Sequence, residues 1–211
     1  MTLSLEVHDD ACAAAQRVAG LFAEKAREGA STLALSRGAE LLARLGAEDM
    51  PWQRVAVYQV DERVAPQGDD DRNLTQLVDA LPPDVVRPMP VEDPDLDRAA
   101  QQYGDGLPEA LDLVHLGLGP DGHTASLVPG DPVLDVRDSL VAVTGEYHGR
   151  RRMTLTYPVL ESAREIVWLV TGEEKREALA RLLARDASIP AARIANSSQL
   201  VVADRAAAES R

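Results

Sequence analysis

The sequence has few aromatic side chains and almost no cysteine. Aromatic residues make up 3% of the chain, with a single Phe, which disfavours the base-stacking surfaces of proteins that bind single-stranded nucleic acid. Cys12 is the only cysteine, which excludes an intramolecular disulfide and a zinc site built from several cysteines. No apolar run approaches the roughly 20 residues that span a bilayer. The acidic start, MTLSLEVHDD, lacks a signal-peptide core, so we expect a cytoplasmic protein without membrane contact.

Lysine is also scarce, and the chain is acidic. It carries 35 Asp and Glu against 22 Lys and Arg, for a formal net charge of −13, and only Lys25 and Lys175 are lysines. This balance disfavours a nucleic-acid partner, which requires a basic face. Any site for a small anion is therefore expected to rest on arginines, whose planar guanidinium groups donate forked hydrogen bonds.

Short apolar runs alternate with amphipathic stretches along the chain. A length of 211 residues with 45% hydrophobic content suits a single domain over residues 1–211. Runs such as LDLVHLGLG and EIVWLVTG are typical of strands buried on both faces of a parallel sheet. The alternation predicts a Rossmann-like α/β fold, an open, doubly wound, mostly parallel sheet with helices on both faces. The predicted strands are Leu3–Val7, Thr32–Ser36, Val55–Asp61, Leu111–Gly117, Leu140–Thr144, Ile166–Thr171 and Leu200–Val202.

Helix signals fall between these strands. A helix is predicted from a cap at Asp9 or Asp10 to about Arg27, because Gly29 then offers a stop. The other predicted helices are Gly38–Leu45, Pro158–Ala163 and Glu173–Leu183.

The segment Leu111–Gly130 is the most informative part of the chain. It reads LDLVHLGLGPDGHTASLVPG, a buried strand, a glycine-rich turn and a predicted helix that begins near Gly122. In such sheets ligands bind at the carboxyl ends of strands, and helix N-termini offer free N–H groups to anions. His123 lies at this junction. An imidazole titrates near pH ~6.5 and suits the removal of a proton from water, although a capping or core histidine is the alternative.

The same glycines permit a second interpretation. Gly117, Gly119 and Gly122 satisfy the G-x-G-x-x-G pattern of dinucleotide-binding turns, and Glu146 could bind a ribose. A histidine directly after the third glycine would crowd a pyrophosphate, and the pattern lies mid-chain rather than in a first βαβ unit. We therefore expect no cofactor, and no metal either, since His, Cys, Asp and Glu show no metal-ligand spacing.

Three separate blocks of the chain form a larger pattern. They are GLGPDGHTASLVPG, Val60–Arg63 (VDER) with Asn73, and Arg152–Leu160 with Val170–Lys175. They resemble the signature, the second block and the third block of the 6-phosphogluconolactonase family. The blocks follow the family order and span about residues 32–183. The resemblance implies hydrolysis of 6-phospho-D-glucono-1,5-lactone to 6-phosphogluconate, a step of the oxidative pentose phosphate pathway. The expected partner is this small sugar phosphate lactone, and we expect a monomer or weak homodimer.

The resemblance also implies roles for individual side chains. His123 would activate the attacking water, and Asp61 and Asp121 are candidates to orient its ring, although helix capping explains Asp121 equally well. Arg63 is expected to bind substrate, with a salt bridge to a neighbouring acid as the alternative. Arg150 and Arg151 flank Arg152, and the sequence does not decide which of the three contacts the phosphate. The predicted substrate and phosphate ligands are Ser36, Arg37, Gly38, Arg63, Asn73, Gly119, Gly122, Arg152 and Lys175.

One segment departs from the family pattern. Where the family has a glycine-rich loop of the type S-G-G-S-T-P, residues 36–41 read SRGAEL, and Glu40 would bring a negative charge toward a phosphate. In one interpretation Arg37 replaces the backbone donors of that loop with a guanidinium group. In the other, the phosphate requirement has changed, which leaves an enzyme for an unphosphorylated lactone or a non-catalytic sugar-phosphate-binding protein.

A related enzyme class is a further alternative. Glucosamine-6-phosphate deaminases share the D-G-H core, but their histidine is followed by an isoleucine and an F-N-E-type stretch that supplies another catalytic acid. Thr124–Leu127 contains no acid. The sequence therefore favours the lactonase over the deaminase.

Overall fold

Ten strands and seven α-helices make up the protein, which is described by a computed structural model over residues 2–209. The strands in chain order are β1 (Thr2–His8), β2 (Thr32–Leu35), β3 (Ala56–Gln59), β4 (Asp61–Arg63), β5 (Val86–Arg87), β6 (Leu113–Gly117), β7 (Val141–Val143), β8 (Arg152–Leu155), β9 (Glu165–Val170) and β10 (Ser198–Asp204). The helices are α1 (Ala11–Glu28), α2 (Ala39–Ala47), α3 (Asn73–Ala80), α4 (Leu96–Asp105), α5 (Tyr157–Ser162), α6 (Arg176–Leu183) and α7 (Arg205–Ala208).

A seven-stranded parallel sheet forms the centre of the fold, in the order β1-β10-β9-β6-β2-β3-β5. Alternate residues of β2 pack into two apolar clusters, Leu33 and Leu35 into one and Ala34 into the other. Since successive side chains of a strand point to opposite faces, the sheet is covered on both sides. The predicted fold class, an open parallel sheet with helices, is confirmed.

The first helix begins and ends as its sequence predicts. The Asp10 carboxylate accepts a hydrogen bond from the Ala13 backbone N–H, and Gly29 ends the helix with a φ of 123°. The helix predicted at Pro158 forms α5, with the proline in its first turn. The helix predicted from Glu173 begins as a 3-10 turn over Glu173–Lys175 and becomes α-helical at Arg176.

None of the helices between residues 2 and 209 combines the length and the apolar composition that a membrane span requires.

A small antiparallel sheet, in the order β4-β8-β7, corrects two strand predictions. The segment Val55–Asp61 is not one strand, because the chain leaves the large sheet at Val60. The Val60 N–H donates to Leu35 in the large sheet, while its carbonyl accepts from Leu155 in the small one. The strand predicted at Leu140–Thr144 becomes β7 of the small sheet. Both sheets therefore meet beside the end of β2.

The helix predicted to begin near Gly122 does not form. Gly122 has a φ of 82° and Ala125 a φ of 52°, and these left-handed values cannot continue a right-handed helix. The backbone instead closes two turns, in which Gly122 donates to Gly119 and Leu127 donates to Thr124. The segment after β6 is thus a loop, and it offers no helix N-terminus that could bind an anion.

The order of the strands reverses between β2 and β6. From β2 the chain builds outward through β3 to β5, and from β6 it builds in the other direction through β9 to β10. Open α/β sheets bind ligands in the crevice outside the carboxyl ends of the strands at such a reversal. The fold therefore places the candidate site beyond β2, β6 and β9.

Candidate active site

A cavity of about 160 Å³ lies at this reversal point. Loops from the large sheet and strands of the small sheet both contribute to its wall. The lining residues are Ser36, Arg37, Asp61, Arg63, Gly117, Leu118, Gly119, His123, Ala125, Arg152 and Lys175. Most of the residues predicted from the sequence thus meet in one cavity. The predicted ligands Gly38, Asn73 and Gly122 are not among the lining residues, nor is Asp121.

His123 is held by the predicted partner Asp121. Nδ1 of the His123 ring lies 2.5 Å from Oδ1 of Asp121, and the same oxygen accepts the His123 backbone N–H at 3.2 Å. Burial alone would raise the pKa of Asp121, but these hydrogen bonds and one from Tyr147 lower it. Because an ionised carboxylate only accepts, this hydrogen bond requires the proton on Nδ1, and in the neutral ring it leaves the lone pair on Nε2. That tautomer is the one a general base requires.

Two glycines give the His123 loop its shape. A Cβ on Gly119 would lie 2.1 Å from Nδ1 of His123, so only glycine leaves room for the ring at this position. A Cβ on Gly122 would lie 2.4 Å from the Cβ of Ile189, and the Gly122 carbonyl accepts a hydrogen bond from Ala191. Gly122 therefore packs the loop against another segment instead of contacting a ligand.

Four cationic side chains converge on the cavity from separate parts of the chain. Arg37 follows β2, Lys175 follows β9, and Arg63 and Arg152 come from adjacent strands of the small sheet. Burial, and then the Arg63 guanidinium, lowers the pKa of both Arg37 and Arg152. Among residues 2–209 no ion pair joins these three arginines to a carboxylate, so the predicted alternative for Arg63, a salt bridge to a neighbouring acid, is not seen. The cavity lining thus holds four cationic side chains against the single carboxylate of Asp61, and this excess of positive charge favours an anionic ligand.

The structure distinguishes the three consecutive arginines. Arg150 is bound by Asp69 and Asp71, with both nitrogen–oxygen distances at 3.1 Å. Arg151 is exposed and donates a long hydrogen bond to the Thr144 carbonyl. Arg152 alone of the three is buried and lines the cavity.

Asp61 lines the cavity but is held by residues other than His123. One carboxylate oxygen accepts from the Asn73 side chain at 2.9 Å, and the other accepts from the Ser126 hydroxyl at 2.6 Å. Within the described chain no hydrogen bond joins Asp61 to His123. Asn73, predicted as a substrate ligand, therefore fixes Asp61 from behind the cavity wall. Ser126 carried no signal of its own in the sequence beyond its place in the histidine loop.

Glu62, the residue between Asp61 and Arg63, is a buried hub beneath the cavity. Its carboxylate accepts hydrogen bonds from the Arg63 backbone N–H at 2.7 Å, from the first two N–H groups of α3 at 2.8 Å each, and from the Gln59 side chain at 2.9 Å. Nε of the buried Arg72 lies 3.0 Å away as an ion pair. Glu62 thereby connects β4 to α3 and fixes the backbone that presents Arg63.

The sequence matches a known protein family over most of its length. A profile described as glucosamine-6-phosphate isomerases/6-phosphogluconolactonase matches residues 8–202. The chain belongs to this family. It is 37% identical to the 6-phosphogluconolactonase of Synechocystis sp. over 77% of this chain and 75% of that protein. It is 35% identical to the 6-phosphogluconolactonase of Mycobacterium tuberculosis over 91% of each protein.

The fold has close counterparts among solved structures of the same family. The 6-phosphogluconolactonase of Leishmania guyanensis superposes with a TM-score of 0.87 and 20% identity, over 98% of both chains. At 20% identity this similarity supports the fold alone. The sequence relatives confirm the family that the three blocks indicate.

The loop that departs from the family pattern keeps its negative charge away from the cavity. Glu40 is exposed and is bound by Arg44 one turn along α2, at 2.6 Å. Ser36 and Arg37 line the cavity, and Gly38 caps α2 behind them. The sequence predicts that Glu40 brings a negative charge toward a phosphate, and this prediction is wrong, because Glu40 lies outside the cavity lining.

Tyr147 is a site residue that sequence reasoning missed. Its hydroxyl lies 3.2 Å from Oδ2 of Asp121, and its ring meets the His123 ring edge-on with centroids 5.5 Å apart. The only local signal is its place two residues before a glycine between two predicted strands. A turn at that glycine brings the tyrosine back over the site.

Proposed function

We propose that the protein hydrolyses 6-phospho-D-glucono-1,5-lactone to 6-phosphogluconate. The observation that carries this proposal is the presence, in one cavity, of an imidazole with an oriented free nitrogen and four cationic side chains. The names of the sequence relatives agree with the same activity. Water attack on a lactone requires a base, and a phosphorylated substrate requires an anion site. Cytoplasmic location, a single domain and a monomeric or weakly dimeric state stay predictions from the sequence.

His123 acts as the general base in this proposal. Its Nε2 takes a proton from water while the water oxygen attacks the lactone carbonyl carbon. The tetrahedral intermediate then breaks the ring C–O bond, and the imidazolium returns the proton to the departing hydroxyl oxygen. Asp121 stabilises the imidazolium that forms between these steps. The cationic lining stabilises the negative charge on the former carbonyl oxygen.

The substrate phosphate is bound by side chains rather than by backbone N–H groups. The loop after β2 lacks one glycine of the family pattern, and Arg37 occupies that position with five N–H donors. Together with Arg63, Arg152 and Lys175 it gives the cavity a local positive field. That field attracts a small dianion in spite of the net charge of −13 on the whole chain.

The first prediction compares two lactones. The protein is expected to hydrolyse the phosphorylated gluconolactone at least tenfold faster than unphosphorylated gluconolactone, measured as kcat/KM above the spontaneous rate, because charge-assisted hydrogen bonds to phosphate contribute about 1.5–3 kcal/mol each. Equal rates on both lactones would contradict the substrate assignment. Ammonia release from glucosamine 6-phosphate would assign the site to the deaminase class instead.

The second prediction separates two neighbouring arginines. Arg152→Met is expected to raise KM for the phosphorylated lactone by about tenfold or more, since it removes a buried cation from the cavity wall. Arg151→Met serves as the matched control, because Arg151 is exposed, makes one long hydrogen bond to the Thr144 carbonyl and does not line the cavity. Steady-state kinetics on both variants provide the measurement. If Arg151→Met weakened binding more than Arg152→Met, the phosphate would have to bind elsewhere.

A further inference from the structure

Tyr147 stands at the tip of a hairpin that connects β7 and β8. His148 and Gly149 have φ values of 52° and 75°, as the two central residues of a type I′ turn require. The Tyr147 backbone N–H donates to the Arg150 carbonyl at 3.0 Å, and Arg150 is anchored to Asp69 and Asp71. The backbone of the tip is thus fixed from both sides, which places the tyrosine ring reproducibly.

The Tyr147 hydroxyl extends the hydrogen-bonded pair of Asp121 and His123. It lies 3.2 Å from Oδ2 of Asp121, while Oδ1 of the same carboxylate holds Nδ1 of His123. Asp121 is only partly buried, and both of its hydrogen bonds from His123 reach Oδ1, so the tyrosine is the group that holds Oδ2. The tyrosine thereby fixes the plane of the carboxylate that orients the base.

The Tyr147 ring also contacts the cationic side of the cavity. The Arg152 guanidinium carbon lies 4.9 Å from the ring centroid, within the range of a cation–π contact. The His148 ring packs against the tyrosine with centroids 4.1 Å apart. One aromatic ring therefore contacts both the imidazole and a guanidinium group of the proposed phosphate site.

We propose that Tyr147 is a positioning residue that holds the Asp121–His123 pair through its hydroxyl and Arg152 through its ring. This inference rests on the proposed lactonase function for its kinetic test. The two contacts use different parts of the side chain, so separate substitutions resolve them. Tyr147→Phe removes the hydroxyl and keeps the ring, whereas Tyr147→Leu removes both.

Tyr147→Phe is expected to lower kcat by roughly tenfold and to leave KM within about twofold. Without the hydroxyl, Asp121 becomes a stronger acceptor for protonated His123, so the acid limb of the kcat/KM profile moves to higher pH. Tyr147→Leu is expected to raise KM as well, because Arg152 loses its ring contact. Tyr58→Phe is the matched control, since Tyr58 packs on Tyr103 outside the cavity lining.

The other charged groups around the imidazole stay unchanged in Tyr147→Phe. They are Arg37, Asp61, Arg63, Arg152 and Lys175 of the lining, and His148 beyond the tyrosine ring. A shift in the acid limb therefore reports on the hydrogen bond to Asp121.

A titration of the His123 ring by NMR tests the same hydrogen bond without turnover. The midpoint is expected to rise in Tyr147→Phe and to stay at the wild-type value in Tyr58→Phe. An unchanged midpoint in Tyr147→Phe would overturn the positioning role, even in a protein that proved inactive on the lactone. An inactive wild-type protein would refute the proposed function alone. An active one with unchanged kcat, KM and pH profile in both Tyr147 variants would refute the tyrosine inference alone.

Discussion

Replacement of His123 by alanine is expected to lower the rate of lactone hydrolysis by about 10²-fold or more. A positioned general base contributes between about 10² and 10⁴ in rate, and the ring of His123 is held with Nε2 free to accept a proton. The substrate cations are untouched in this variant. The loss is therefore expected in kcat, measured above the spontaneous hydrolysis of the lactone, with little change in affinity for 6-phosphogluconate.

The affinity for the product shows whether His123→Ala has lost the catalytic base or has lost its folded structure. Calorimetry with 6-phosphogluconate is expected to give similar affinities for the wild-type protein and for His123→Ala. His8→Ala provides a matched control on the edge strand β1, distant in sequence from the histidine loop. An undiminished rate in His123→Ala would make this histidine structural and would remove the base from the proposed mechanism.

Replacement of Glu62 by alanine is expected to destabilise the fold by about 3–5 kcal/mol. Glu62 is fully buried, and its removal leaves Arg72 without its buried partner and several N–H groups without acceptors. For a chain of this length that loss corresponds to a fall in Tm of about 10 °C. Denaturant unfolding at equilibrium gives the free energy directly.

Glu92 offers a matched control for Glu62, because both carboxylates contact the same arginine. Glu92 pairs with Arg72 at 2.7 Å, but its side chain is 47% exposed. Glu92→Ala is therefore expected to cost about 1 kcal/mol or less, since solvent screens the exposed Glu92 carboxylate and Nη1 of Arg72 keeps its hydrogen bond to the Ala65 carbonyl. Similar losses in both variants would mean that Glu62 acts as an ordinary surface carboxylate and not as a buried hub.

The sequence predicts those features whose causes are local. Continuous apolar runs predict the buried strands. A capping aspartate and a glycine at the end predict the bounds of α1. The family blocks point to Arg63, Arg152 and Lys175 as cations of one site, and Arg37 stands in the segment that departs from the family pattern. The convergence of Arg37 and Lys175 follows from the rule that loops at the carboxyl ends of parallel strands share one edge of the sheet. Arg63 and Arg152 instead reach the site from the small antiparallel sheet.

The features that the sequence does not predict depend on contacts between distant segments. The strand–glycine–histidine pattern suggests a helix after Gly122, but Ala125 adopts a left-handed conformation that no local signal announces. The small sheet forms because Val60 bonds to both sheets, which no periodicity reveals. Tyr147 reaches Asp121 across 26 positions of the chain. Asn73 matches a family block, yet its role behind Asp61 depends on the packing of α3.

Arg63 and Arg152 stand directly opposite each other in the β4–β8 pair. Like charges in that register repel, and each weakens the sheet that carries the other. In the proposed site, the requirements of ligand binding and of stability thus conflict at these two positions, and an anion in the cavity would relieve the conflict. Selection for heat resistance alone would favour a neutral residue at either position, at the expense of the proposed ligand site.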